Sequence, residues 1–151
     1  MWIIAIIALV VLYLLESSPS SGSDTTSPSS VGGPLSALAS AMATFEHSSY
    51  QNNPGGLRPN AIVYPGQVGV TSGGFALFDS YDSGLAAMQS LLQSKISAHP
   101  DWDFYDLTSN WVYGKDVPPA GDPGNANAYA DYVAQQFGTD ATSSLDETFG
   151  G

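Results

Sequence analysis

The sequence predicts an α+β protein: a mainly helical head with a small antiparallel β-hairpin sheet, preceded by an N-terminal transmembrane helix. Three observations carry this. Residues 2–15 are an unbroken apolar run, WIIAIIALVVLYLL. Residues 16–33 are low-complexity Ser, Pro, Gly and Thr, which cannot bury apolar area. Beyond them apolar residues recur at spacings of three and four, except across residues 61–78. There β-branched and aromatic residues are broken by Pro-Gly and Gly-Gly turns.

A helix over residues 1–15 rises about 1.5 Å per residue, so the apolar run covers roughly 21 Å. A bilayer core is about 30 Å thick, so the run is short for a span. A secretory signal carries a basic n-region and a small-residue cleavage site, and neither is present. A core helix shows a polar face, and this run has none. An uncleaved anchor, helped by local bilayer thinning, is therefore preferred over a cleaved signal or a buried segment. No Lys or Arg flanks the run, so its orientation is weakly determined. Residues 16–33 are expected to be a flexible linker to the head.

The head is expected over residues 34–138, with residues 139–151 as a C-terminal tail. Pro34 suits a first helical turn. Leu35, Leu38, Met42 and Phe45 then form one stripe, with Glu46 on its margin. Residues 61–78 read as two or three strands. A second helix is expected over residues 82–98, capped by Asp82, with Leu85, Met88, Leu92 and Ile96 inward. A short helix follows over residues 103–111. A last one runs from Asn125 to a stop at Gly138, burying Tyr129, Tyr132, Val133 and Phe137.

The chain has 151 residues, 14 Asp+Glu against 3 Lys+Arg, and a formal net charge of −11. Phosphate binding needs clustered cations, so nucleic acid is excluded as a partner. There is no cysteine, and the two histidines, His47 and His99, are far apart. No metal and no cofactor are expected. So few cations imply ligand binding by hydrogen bonds and stacking rather than by charge attraction.

Glu46 is the candidate catalytic residue. It sits beside Phe45, where desolvation disfavours the anion, and at a helix C-terminus, whose partial negative charge does the same. A carboxylic acid held protonated in this way can protonate a glycosidic oxygen. The bland alternative is a solvated Glu46 paired with His47 or Arg58. Direct pairing with Arg58 would spoil a general acid, so Arg58 is expected to face another carboxylate or the loop backbone. Asn52 and Asn53, followed by Pro54-Gly55-Gly56, offer amides in a tight turn suited to sugar hydroxyl and N-acetyl groups, or else a plain turn.

Three segments give the head a resemblance. They are Phe45-Glu46 with Asn52-Asn53-Pro54-Gly55-x-Leu57-Arg58; Gly74-Phe75-x-x-Phe78-x-Ser80-x-x-x-Gly84; and Tyr113, Pro118-Pro119, Asn125 and Asn127-Ala128-Tyr129. Over residues 35–138 the chain resembles the lysozyme-like, lytic-transglycosylase-type muramidase domains of phage structural (virion-associated) proteins and some bacterial envelope proteins. The resemblance implies a lysozyme-like fold with the catalytic Glu at the end of the first core helix, matched by Glu46. It implies peptidoglycan as substrate, cleaved between N-acetylmuramic acid and N-acetylglucosamine. Two positions depart from the family pattern: Gly56 replaces an Asn, and His47 replaces a common Gly.

A hydrolase needs a second acid or an activated water; a lytic transglycosylase does not, because the muramic acid 6-hydroxyl attacks internally. Asp79 and Asp82 are the nearest second carboxylates, and both read better as turn and cap residues. The single-acid route is therefore preferred. Among the aromatics, Phe75, Tyr113 and Tyr129 are candidate substrate contacts, with core filling as the alternative. Phe75 and Phe78 are both expected to face inward near Glu46. The expected function is a membrane-anchored peptidoglycan-degrading enzyme, located in a bacterial envelope or a viral internal membrane. Its partners would be peptidoglycan, the bilayer and, in the viral case, other virion membrane proteins. The competing expectation is a non-catalytic glycan-binding or virion structural protein that keeps the fold.

Overall fold

A computed structural model of the chain describes residues 33–48, 50–59, 61–115 and 124–149. The expected anchor, and the linker up to its last residue, lie outside them. Among the described residues no helix is long and apolar enough to cross a membrane.

The order of elements is α1 (Pro34–Glu46), β1 (Gln67–Val70), β2 (Ala76–Phe78), α2 (Tyr81–Ala98), α3 (Phe104–Tyr113), α4 (Gly124–Gln136) and α5 (Leu145–Phe149). The architecture is α+β and mostly helical, with one two-stranded antiparallel sheet. Its register pairs Gln67 with Phe78 and Val70 with Ala76, with a bulge between Gln67 and Gly69. α3 packs along α4, and α1 packs on both α2 and α4.

Each helix starts for a local reason. α1 has Pro34 in its first turn, where a missing N–H costs no hydrogen bond. α2 is capped by Ser80, whose hydroxyl accepts from the Ser83 N–H at 3.1 Å. Asp82 is thus a first-turn residue, not the cap; its charge still suits the positive end of the helix. α3 begins with a reciprocal capping box. Asp103 accepts from the Asp106 N–H at 3.0 Å, and Asp106 accepts from the Asp103 N–H at 3.3 Å.

The core runs through the helices as the periodicity predicts. Leu38 and Met42 of α1 meet Met88, Leu92 and Ile96 of α2, Phe104 and Leu107 of α3, and Tyr129 and Val133 of α4. Phe78 closes it from the sheet. Each such side chain contributes about 1.5–3 kcal/mol through burial. Leu85, Tyr132 and Phe137, expected inside, are only partly buried against the core's margin. On α4 the inward positions go instead to Ala126, Ala130 and Ala134.

Two sequence readings change. Residues 139–149 are not a tail. Ala141 and Leu145 are in the core, and the Leu145 N–H donates to the Trp102 carbonyl at 2.9 Å. Phe149 packs edge-on against Phe104 and Phe137. Phe75 and Phe78 do not share a face. An odd separation puts them on opposite sides of an extended chain, so Phe78 is buried and Phe75 is turned to the surface cleft.

The loop after α1 lies hard against α2. A Cβ on Gly84 would sit 1.8 Å from the Asn52 carbonyl oxygen, so only glycine lets the two backbones meet. This contact sets the depth at which residues 50–58 cross the molecule.

Candidate active site

A cleft of about 930 Å³ opens beside the C-terminal end of α1. Glu46, the loop after it, the turn before β2, the last turns of α2 and α3, and the start of α4 all contribute walls. Glu46 is the sole carboxylate among the described residues that line it.

Glu46 is half-buried, and its carboxyl pKa is raised from the ordinary value. Burial is the main cause; a hydrogen bond from the Tyr129 hydroxyl opposes it. Tyr129 is itself almost fully buried. Its phenol is pushed far up, first by burial and then by the Glu46 charge and hydrogen bond, so it stays a donor. The ring stacks on Phe45 with centroids 4.2 Å apart and planes 9° from parallel. The hydroxyl also reaches the Met42 carbonyl at 3.3 Å. Its single hydrogen therefore has two acceptors within reach, one of them Glu46. Two helices, α1 and α4, thus meet beside the carboxyl.

His47 closes α1 in the left-handed region, at φ 45° and ψ 37°, with its N–H on the Ala43 carbonyl. That conformation explains why glycine suits this position in the family the sequence resembles: glycine has no Cβ to strain.

The expected sugar-reading amides are used elsewhere. Asn53 is buried, and its amide is fully occupied. Its two N–H groups donate to the Leu57 and Ala76 carbonyls, each at 2.9 Å, and its oxygen accepts the Leu57 N–H at 2.7 Å. Asn52 donates to the Phe78 carbonyl at 3.0 Å from a left-handed backbone, φ 52°. Neither lines the cleft. Both fasten the loop to β2, leaving Gly55, Gly56 and Leu57 as the wall beside Glu46.

Phe75 does line the cleft, but its two faces are taken. Tyr50 stacks at 3.9 Å between ring centroids, and the Arg58 guanidinium lies 3.8 Å from the same centroid. Two groups that close to one ring must occupy opposite faces. The exposed aromatic of this stack is Tyr50, which the sequence reading passed over. Its signal was present, an aromatic between the helix-terminal Glu and the Asn-Pro turn. Trp111, not Tyr113, is the α3 aromatic on the cleft. Trp102 is buried beneath His99, with ring centroids 4.0 Å apart.

Arg58 faces backbone as expected, donating to the Gly73 carbonyl. No arginine contributes to the Glu46 shift. Asp79 is held below its usual pKa, first by a hydrogen bond from Ser83, at the start of α2, and does not line the cleft. The cleft also carries more positive charge than so acidic a chain led one to expect, because Arg58 and Lys95 both line it. No group of three or more His, Cys, Asp or Glu able to hold a metal occurs among the described residues.

Compared with the models of known families, with curated proteins and with solved structures, the chain matches none.

Proposed function

We propose that the protein is a membrane-anchored peptidoglycan-degrading enzyme of the lytic-transglycosylase type, with Glu46 as its single general acid and base. The observation that carries this reading is a half-buried carboxyl with a raised pKa, the sole one among the described residues of a large cleft, beside the Tyr129 hydroxyl. Aromatic and amide groups suited to sugars, Tyr50, Trp111 and Asn110, line the same cleft. The resemblance of residues 35–138 to muramidase domains points to the same substrate.

The chemistry balances with one carboxyl. The Glu46 acid gives its proton to the glycosidic oxygen as the bond to the muramic acid C1 breaks. The ring gains oxocarbenium character. The 6-hydroxyl of the same sugar then attacks C1, and its proton returns to the Glu46 carboxylate. A 1,6-anhydro end forms, the acid is regenerated and no water is consumed. Burial keeps Glu46 protonated to higher pH, which the first step needs. The Tyr129 hydrogen bond stabilises the carboxylate that the second step uses.

The test is digestion of purified peptidoglycan by wild type and Glu46→Gln, with mass analysis of the products. Loss of turnover in the variant and 1,6-anhydro ends from wild type are expected. Equal turnover removes Glu46 from the chemistry, and free reducing ends would sink the transglycosylase route. No turnover in wild type would favour a non-catalytic glycan-binding protein.

A further inference from the structure

The chain has only three Lys and Arg residues against 14 Asp and Glu. Two of the three, Arg58 and Lys95, line the Glu46 cleft. In so acidic a chain, two of the three cations thus lie along one groove, whose described lining has a single carboxylate. Such focusing draws anions to the groove and repels them from the remaining surface.

Neither cation swings freely. Arg58 lies flat on the Phe75 ring at 3.8 Å and donates to the Gly73 carbonyl in the turn before β2. Lys95, in the last turn of α2, donates to Asn110 Oδ1 of α3. Side chains already held in place lose little freedom when a ligand arrives. Arg58 is exposed, and a guanidinium carries five N–H donors in a fork that matches a carboxylate.

We infer that Arg58 selects glycan strands that carry carboxylates over neutral strands of the same backbone. The inference rests on the cleft being a glycan groove. The carboxylate can come from an acidic substituent on the sugar itself or from an attached peptide; the recognising chemistry is the same.

The test uses full-length Glu46→Gln, so that ligand is bound and not consumed. Its affinity is measured for three probes: a peptidoglycan tetrasaccharide with its peptides, the same glycan stripped of peptides, and the first probe with every carboxylate capped as an amide. The capped probe should bind about tenfold more weakly than the native one, the scale of one or two partly exposed ion pairs. That ratio should shrink as salt is raised. Adding Arg58→Gln should bring it below about threefold, and Arg58→Lys should recover only part of it, because an ammonium keeps the charge and loses the fork and the stack on Phe75. Stripping the peptide frees the lactyl carboxylate, so tight binding of the stripped glycan shows that a carboxylate on the sugar suffices; loss of binding assigns recognition to the peptide. Equal affinity for native and capped probes overturns the inference and leaves the glycan reading intact, as does a ratio unchanged by Arg58→Gln. Binding of none of the three overturns both.

Discussion

Two neighbouring regions, the end of α1 and the Asn52–Asn53 turn, look alike in sequence and behave oppositely in the fold. Both put polar side chains among apolar ones within ten residues of each other. Glu46 has its hydrogen-bonding capacity only partly met by protein, through Tyr129, and it faces a cleft. Asn53 has both of its donors and its oxygen bonded to backbone, and it faces the interior. The nearness of a polar residue to Glu46 is thus no guide to what it binds. What separates the two is whether the protein already satisfies the group.

The largest expected effect comes from the first region. Glu46→Gln should lower turnover on peptidoglycan by roughly 10²–10⁴-fold, the usual worth of a general acid or base. The same variant should be more stable than wild type at neutral pH. The folded carboxyl has a pKa above its ordinary 4.5, so between that value and the folded one the native state binds more protons than the unfolded chain. Stability then falls as pH rises through the window and is fully kept below the unfolded pKa. Glutamine removes this loss, so the variant's advantage should vanish in acid. Urea melts of both proteins from pH 4 to pH 8 measure it. An advantage independent of pH would mean that Glu46 is not desolvated.

Asn53→Ala should act on the other region and on a different observable. It leaves the Leu57 N–H and the Ala76 carbonyl without their partner, while the Leu57 carbonyl keeps the Ala76 N–H at 2.8 Å. Buried groups left in this state cost about 1–3 kcal/mol each, so a loss of about 2 kcal/mol or more is expected in denaturant unfolding. A sugar-reading Asn53 would instead weaken substrate binding and leave stability untouched.

How far the sequence could be read follows the same division. Period and capping signals are local, and they placed all four long helices and the hairpin within a few residues. Glu46 was legible because helix ends and apolar stripes are local too. The duties of Asn53, Phe75 and Tyr129 were not, because each is decided across the chain. Asn53 bonds to Ala76, 23 residues away, and Tyr129 reaches Met42, 87 residues away. α5 escaped for the same reason. Its five residues carry little pattern, and its place depends on Trp102, Phe104 and Phe137.

Tyr129→Phe sharpens the comparison from the Glu46 side. Phenylalanine keeps the stack on Phe45 and deletes the bond to the carboxylate. A hydrogen bond to a charged group is worth about 1.5–3 kcal/mol, so turnover should drop by roughly ten- to hundredfold. The direction in pH is separate evidence. That bond lowers the Glu46 pKa, so without it the carboxyl titrates higher and the activity profile should move toward alkaline pH. A slower enzyme with an unmoved profile would make Tyr129 a packing residue alone.

The smallest effect tests the boundary between the two regions, at Gly56. This residue lines the cleft, directly after the fastened turn, with a left-handed φ of 60°. An asparagine tolerates that backbone better than most residues. A Cβ there would meet the Phe75 ring at an ordinary 3.9 Å, so the amide has room to enter the cleft. Gly56→Asn supplies the amide that the resembled family carries, in a place where no backbone group already claims it. One added hydrogen bond is worth about 0.5–1.5 kcal/mol, so kcat/KM on peptidoglycan should rise about two- to tenfold. Gly56→Ala imposes a comparable backbone cost without the amide, and it is the control. Faster turnover by Gly56→Asn than by Gly56→Ala would put a sugar within reach of residue 56. Equal rates for the two would move the substrate's path away from the loop and toward Tyr50 and Trp111.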